Sequence, residues 1–154
     1  MIKSHKRLFF CLKMCYNIIM KIKELIKNGS FKLNKEKIED ANLKAKMLLE
    51  YELGVRNEYL IIHSDEEVFK EIVDRYVKNI EKIINGTPIQ YITNSQEFYG
   101  LNFYVDENVL IPQPDTETLV EEVIEIARKM ENPKILDMCT GSGVVAISIA
   151  KKTN

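Results

Sequence analysis

Ile135-Leu136-Asp137-Met138-Cys139-Thr140-Gly141-Ser142-Gly143, running into Val144-Val145-Ala146-Ile147-Ser148-Ile149-Ala150, decides the fold of this chain. A short apolar run ends in an acid. A Gly-x-Gly turn follows, and then an Ala- and Ile-rich helical pattern. That order predicts a strand, a glycine loop and a helix, the opening unit of a doubly wound nucleotide-binding sheet. Small residues let the backbone approach a ligand, and a helix N-terminus presents N–H groups with no partner inside the helix. The sequence reaches Asn154 one helix later, so the expected domain is represented only by its first βα unit.

The stretch Gly141-Ser-Gly143-Val-Val-Ala146 matches the pattern Gly-x-Gly-x-x-Gly/Ala. Alone it is weak, because NAD, FAD and S-adenosylmethionine proteins all use such turns. Asp137 tilts the choice. An acid at the carboxyl end of the strand suits the sulfonium and amino groups of S-adenosylmethionine and repels a pyrophosphate. A dinucleotide enzyme and a purely structural turn are the alternatives.

Working back along the chain, Asn132-Pro133 separates the strand from a helix whose buried face is Leu119, Val120, Val123, Ile124 and Ala127. Asp115 is placed to cap that helix, and Glu117 favours its positive end. Before it, Pro112-Gln113-Pro114 fixes a stiff, extended crossing after the run Val109-Leu110-Ile111. Residues 96–106 alternate aromatic residues around Gly100, which predicts a short β-hairpin.

Residues 20–86 carry three helical patterns. The first runs from Ile22 to a stop at Asn28-Gly29. The second spans about 35–53, with Ala41, Ala45, Leu48, Leu49 and Leu53 at helical spacing and Gly54 closing it. The third opens at Ser64-Asp65-Glu66-Glu67, read as a capping box, and continues as a stripe of Phe69, Ile72, Val73, Tyr76, Val77, Ile80, Ile83 and Ile84 up to Asn85-Gly86. These stripes predict the core of a small helical bundle, with His63 an ordinary surface or packing residue.

Residues 1–19 hold Lys3, Lys6, Arg7 and Lys13, no acid, and the apolar patch Leu8-Phe9-Phe10-Cys11-Leu12. The patch is too short for a membrane span and has no cleavage site after it. The amphipathic pattern starts at Met20, so residues 1–19 are expected to be an extension outside the fold.

The whole chain has 154 residues, is 45% hydrophobic and carries a formal net charge of −1, which gives no general argument for nucleic acid or membrane. Cys11, Cys15 and Cys139 lack metal-ligand spacing, and His5 and His63 are far apart, so no metal site is expected. Such cysteine usage fits a reducing cytosol.

Gly86-Thr87-Pro88-Ile89-Gln90-Tyr91-Ile92, Glu97-Phe98-Tyr99-Gly100-Leu101, and Val109-Leu110-Ile111-Pro112-Gln113-Pro114-Asp115-Thr116-Glu117 stand in that order before the glycine loop. In combination they resemble the release factor glutamine methyltransferases, the HemK family, from about Met20 onward. The resemblance implies a fold of α plus α/β type. It has a helical substrate-recognition domain over 20–86, a β-hairpin and proline-rich linker over 87–114, and the start of a Rossmann-like methyltransferase domain over 115–154. It implies a cytoplasmic enzyme that uses S-adenosylmethionine to methylate the side-chain amide of the Gly-Gly-Gln glutamine of peptide chain release factors, with no direct nucleic acid partner and no membrane.

Carried over by position, Asp137, Cys139, Thr140, Gly141, Ser142 and Gly143 fall on the cofactor loop. Phe98, Pro112, Pro114, Thr116 and Glu117 fall near the cofactor and substrate cleft. Gln113 stands where many members carry Arg. Cys139 replaces a common glycine, a change the turn accepts if φ there is negative. The family's Asn-Pro-Pro-Tyr motif is absent from the sequence, so no catalytic residue is assigned and these 154 residues alone are expected to be inactive. Two other readings compete: a ribosomal-protein glutamine methyltransferase, and a non-catalytic binding module or remnant.

Overall fold

The computed structural model describes residues 20–153, so the expectation for residues 1–19 lies outside the described residues. The described chain is mainly helical, with two small antiparallel sheets. It divides into two compact units, one ending at Ile89 and the other beginning at Gln90.

The first unit contains β1 (Met20–Lys21), α1 (Ile22–Lys35), α2 (Ala41–Leu53), α3 (Asn57–Ile62), β2 (Glu67–Val68) and α4 (Lys70–Ile84). Its core is built from Ile22, Leu25 and Leu33 of α1, Ala45, Leu48 and Leu49 of α2, and Val73, Tyr76, Ile80 and Ile83 of α4. Several features differ from the sequence expectation, and the second helix starts at Ala41 and not near residue 35, which belongs to α1. Helix α1 does not stop at Asn28-Gly29 but continues to Lys35. Gly29 is buried because α4 comes so close that a Cβ there would collide with the Tyr76 hydroxyl. Its role is close approach, and the surrounding packing outweighs its poor helix propensity.

Residues 64–67 do not form a capping box either. Helix α4 begins at Lys70, with no side-chain cap. The segment before it instead caps α1 with backbone: Ile22 N–H donates to Glu66 O and Lys23 N–H to Ser64 O, both at 3.0 Å. Met20 pairs with Val68 and Lys21 with Glu67. Asp65 binds Lys23 at 2.5 Å and Lys21 at 3.1 Å, and these ammonium groups hold its carboxyl below the usual carboxylate range. Local sequence rules pointed to a helix start, whereas a non-local partner claimed the backbone. In consequence Phe69 lies outside the core, 75% exposed, and Ile72 is only half-buried. Helix α3, which the sequence reading did not identify, puts Leu60 into the core.

Polar side chains tie the helices together. The Tyr76 hydroxyl is shared between the carbonyls of Leu25 (3.3 Å) and Ala45 (3.2 Å), one on each neighbouring helix. Burial pushes its ionisation well above the ordinary tyrosine range. Glu52, on α2, accepts from Arg75 Nε at 2.8 Å and Asn79 Nδ2 at 2.6 Å, both on α4. Helix α2 ends as expected at Gly54, where Val55 N–H donates to Glu50 O and Gly54 N–H to Tyr51 O, a Schellman closure.

The second unit begins within α5 (Ile89–Thr93), in whose first turn the boundary falls. It contains β3 (Gln96–Phe98), β4 (Leu101–Phe103), a 3-10 turn (Pro114–Thr116), α6 (Glu117–Ala127) and α7 (Val144–Thr153). The hairpin is present, with Gln96 opposite Phe103 and Phe98 opposite Leu101. Its two-residue turn has positive φ at Tyr99 (52°) and Gly100 (71°), the signature of a type I′ connection. Phe98, Val120, Ile124, Val144 and Ile149 form the core, flanked by Tyr99, Phe103, Val123 and Val145.

Three expectations fail here. Asp115 does not cap α6 but sits inside the 3-10 turn. Leu119 is half-exposed, leaving Val120, Ile124 and Ala127 as the buried face. Residues 135–137 form no paired strand; Leu136 is 82% exposed and Met138 78%. A parallel strand exists only through hydrogen bonds to a neighbour, and no segment among the described residues offers that pairing.

Candidate cofactor loop

The loop from Asp137 to Gly143 joins an extended segment to α7. Asp137 is half-exposed and accepts a hydrogen bond from Thr140 Oγ1 at 3.0 Å, so its carboxylate is held by its own loop. Gly143 N–H donates to Thr140 O at 2.8 Å, and Ile147 N–H donates to Gly143 O at 2.9 Å, which starts the helical ladder. Three loop residues have positive φ: Cys139 (67°), Gly141 (55°) and Gly143 (78°). The condition that would suit Cys139, a negative φ, is therefore not met. An L-residue with a Cβ occupies the left-handed region there, at a cost that glycine avoids.

The loop is open. Cys139, Thr140 and Gly141 are exposed, and Ser142 and Gly143 are half-exposed. Gly143 has side-chain atoms of Ile147 and Thr140 near the place a Cβ would take, the closer at 3.4 Å. A side chain there would combine crowding with a strained backbone. The arrangement offers one carboxylate, the hydroxyls of Thr140 and Ser142, the Cys139 thiol and the N-terminus of a ten-residue helix.

The remaining predicted positions are spread over the hairpin and the proline segment. Phe98 is 1% exposed and faces the core, where it meets Val144, the residue after Gly143. Pro112 is buried, Pro114 is exposed at the start of the 3-10 turn, and Thr116 and Glu117 are half-exposed. Gln113 is exposed and donates from Nε2 to Ile111 O at 3.0 Å. Glu117 Oε1 accepts the backbone N–H of Tyr99 at 2.8 Å. Glu117 thus holds the Tyr99 amide, and Tyr99 packs against the core that contains Phe98 and Val144.

Sequence reasoning missed the residues that fasten this unit. Tyr91 donates its hydroxyl to Val109 O at 2.8 Å, and Asn94 donates from Nδ2 to Val105 O at 3.1 Å. Nothing local to Tyr99-Gly100 signals the Glu117 contact, which spans eighteen residues. Among the described residues no three His, Cys, Asp or Glu side chains cluster as a metal site, and no helix is long and apolar enough to cross a membrane.

The chain is similar to known proteins over most of its length. The family described as PrmC N-terminal domain matches residues 24–93. A release factor glutamine methyltransferase of Koribacter versatilis is 41% identical over 110 residues, covering 71% of this chain and 39% of that protein. The corresponding protein of Clostridium acetobutylicum is 40% identical over 132 residues, covering 86% of this chain and 46% of its own length. A bifunctional methyltransferase of Rickettsia felis is 33% identical over 155 residues, covering 83% and 29%. These matches place the chain among the methyltransferases. More narrowly, it belongs to the release factor glutamine methyltransferase family, of which it matches the N-terminal part. The chain spans less than half the length of these relatives.

Proposed function

We propose that this chain supplies the substrate-recognition domain, the linker and the cofactor loop of a cytosolic S-adenosylmethionine-dependent methyltransferase. Its target is the side-chain amide of the Gly-Gly-Gln glutamine of peptide chain release factors. The domain boundaries we propose are 20–86, 87–114 and 115–154, the last being the start of a Rossmann-like domain. The observation that carries the reading is the loop of a chain 40% identical to a release factor glutamine methyltransferase: an accessible carboxylate beside two glycines with positive φ.

The residues present fit the cofactor. S-adenosylmethionine supplies an electrophilic methyl group on a cationic sulfur. Asp137, pre-oriented by Thr140, complements the positive charge of such a ligand. Cys139 through Gly143 would let the ligand lie against the backbone, and the start of α7 adds partial positive charge for an anionic group. The helical unit would hold the release factor. Pro112, Pro114 and Thr116 would border the cleft between cofactor and substrate.

The sequence contains no Asn-Pro-Pro-Tyr. In this family that motif implies the acceptors that orient the glutamine amide, a positioning contribution to rate. The 154 residues alone are therefore expected to bind without transferring methyl. Two measurements test the reading. Titration of S-adenosylmethionine followed by NMR should move the amides of Thr140 to Val144. Labelled cofactor plus a release factor should give no labelled glutamine with this polypeptide, and labelled glutamine with a protein that also carries the missing motif. Labelling of a ribosomal protein in preference to the release factor would reassign the substrate. Unmoved loop amides would return the loop to a structural turn.

A further inference from the structure

We infer that Glu117 is a positioning residue for the glycine loop, acting through the Tyr99–Gly100 turn of the hairpin. Only the cofactor arm of the test below rests on the proposed function.

Glu117 is the first residue of α6, and its Oε1 accepts the Tyr99 N–H at 2.8 Å across eighteen residues of sequence. Tyr99 has φ 52°, an unfavourable region for an aromatic residue, so the turn gains from an outside acceptor that fixes its amide. The residues around the turn share a core with the start of α7 and reach its last turn. Phe98, the residue before the turn, belongs to the core cluster that includes Val144, which immediately follows Gly143, and Tyr99 packs against that cluster. Through its ring, Tyr99 receives Lys152 Nζ at 5.7 Å from the centroid, in the last turn of α7. Helix α7 is thus seated against the hairpin at its start and near its end, and the glycine loop is the segment leading into that start. The charges lining the same groove are Glu121, Glu125, Arg128 and Lys152. Since Tyr99 N–H needs an acceptor oxygen and not a net charge, a glutamine should serve in place of Glu117.

The test uses the whole chain and three variants: Glu117→Ala, Glu117→Gln and Glu117→Asp. In Glu117→Ala the Tyr99 amide should exchange with solvent about tenfold faster, and the amides of Thr140 to Val144 should shift in the NMR spectrum. Glu117→Gln should restore both readings to those of the parent chain. Glu117→Asp, shorter by one methylene, should give intermediate shifts and serves as the deciding variant if Glu117→Ala unfolds the unit. Loop amides that stay in place in the folded alanine or aspartate variant would overturn the inference, as would equal shifts in the glutamine variant. A purely structural role would alter stability without this rescue pattern at the loop. In the cofactor arm, Glu117→Ala should weaken S-adenosylmethionine binding about threefold or more, with Glu117→Gln unchanged. If the parent chain shows no binding, the cofactor reading of the loop fails, while Glu117 is still judged by the amide shifts.

Discussion

The two units solve the same burial problem with different resources. In the first, each helix forms its own internal backbone ladder, residues 64–68 complete the start of α1, and every helix contributes apolar residues to one shared core. Two polar side chains, Tyr76 and Glu52, lock neighbouring helices together from within that core. In the second, a small cluster of Phe98, Val120, Ile124, Val144 and Ile149 carries the packing near the loop, while Leu136 and Met138 remain outside it. A helix pair can complete itself locally, but a parallel strand cannot. The difference separates a helical unit that completes its own core from a candidate cofactor loop whose preceding segment is unpaired among the described residues.

The sharpest way to break this contrast is to remove the central side chain of the first unit. Tyr76 fills the space between α1, α2 and α4, so Tyr76→Ala should cost about 4 kcal/mol, in the range for large aromatic truncations. Urea unfolding followed by far-UV circular dichroism measures it, and a loss under 1 kcal/mol would show that the helical unit is not organised around this residue. The hydroxyl adds a pH signature. Its ionisation is raised in the folded state relative to the usual 10.0, so the fold binds that proton more tightly than the unfolded chain does. Stability from this group is complete below pH 10 and is lost as pH climbs above it. Tyr76→Phe should flatten that part of the alkaline decline.

A smaller loss is expected from the polar lock. Glu52 has a side chain only 3% exposed, but its partner Arg75 is 56% exposed. Solvent can therefore reclaim the guanidinium when the carboxylate is removed, and the cost of Glu52→Ala should stay near 2 kcal/mol, below the full penalty for breaking a buried pair. Arg75→Met should cost less than Glu52→Ala if the carboxylate retains Asn79. Equal effects in the two variants would mean that Asn79 contributes little.

How much of this was legible in sequence follows from the range of the forces involved. The core positions of α2 and the later part of α4 were readable because a 3.6-residue period is imposed locally. The hairpin turn was readable because Gly100 marks it. Gly29 was misread: glycine after asparagine looks like a helix end, and only the Tyr76 ring, 47 positions away, makes it a packing residue. The same holds for residues 64–67, whose local capping pattern lost to backbone pairing with Met20 and Lys21. In the candidate site the glycines and Asp137 stood out as a motif. The support from Glu117, Tyr91 and Asn94 depends on backbone partners that no local pattern names.

In the second unit the expected effects move from stability to ligand affinity. In a protein of the family's full length carrying this loop, Asp137→Ala and Gly143→Val should each weaken S-adenosylmethionine binding about tenfold, or 1.4 kcal/mol. Release-factor binding, assigned to the helical unit, should change little. Calorimetry with each ligand separately checks the division. A variant that lost both affinities equally would merge the two roles that the comparison keeps apart.

The smallest effect falls on the strained loop residue. Cys139 holds φ 67°, a conformation in which a Cβ crowds the neighbouring carbonyl at a cost of roughly 1–2 kcal/mol. Replacing it with glycine removes that contact but gives the unfolded chain more freedom to lose, which costs roughly 0.5–1 kcal/mol. The two terms nearly offset, so Cys139→Gly should stabilise the second unit by about 0.5 kcal/mol, whereas Cys139→Val should destabilise it by more than that because a β-branched residue tolerates positive φ least. Side-by-side thermal unfolding of the two variants reads the sign. A valine variant as stable as the glycine variant would show that the loop can relax to negative φ at this position. It would then be a flexible connection, and the preformed geometry assigned to Asp137 and Thr140 would have to arise on ligand binding.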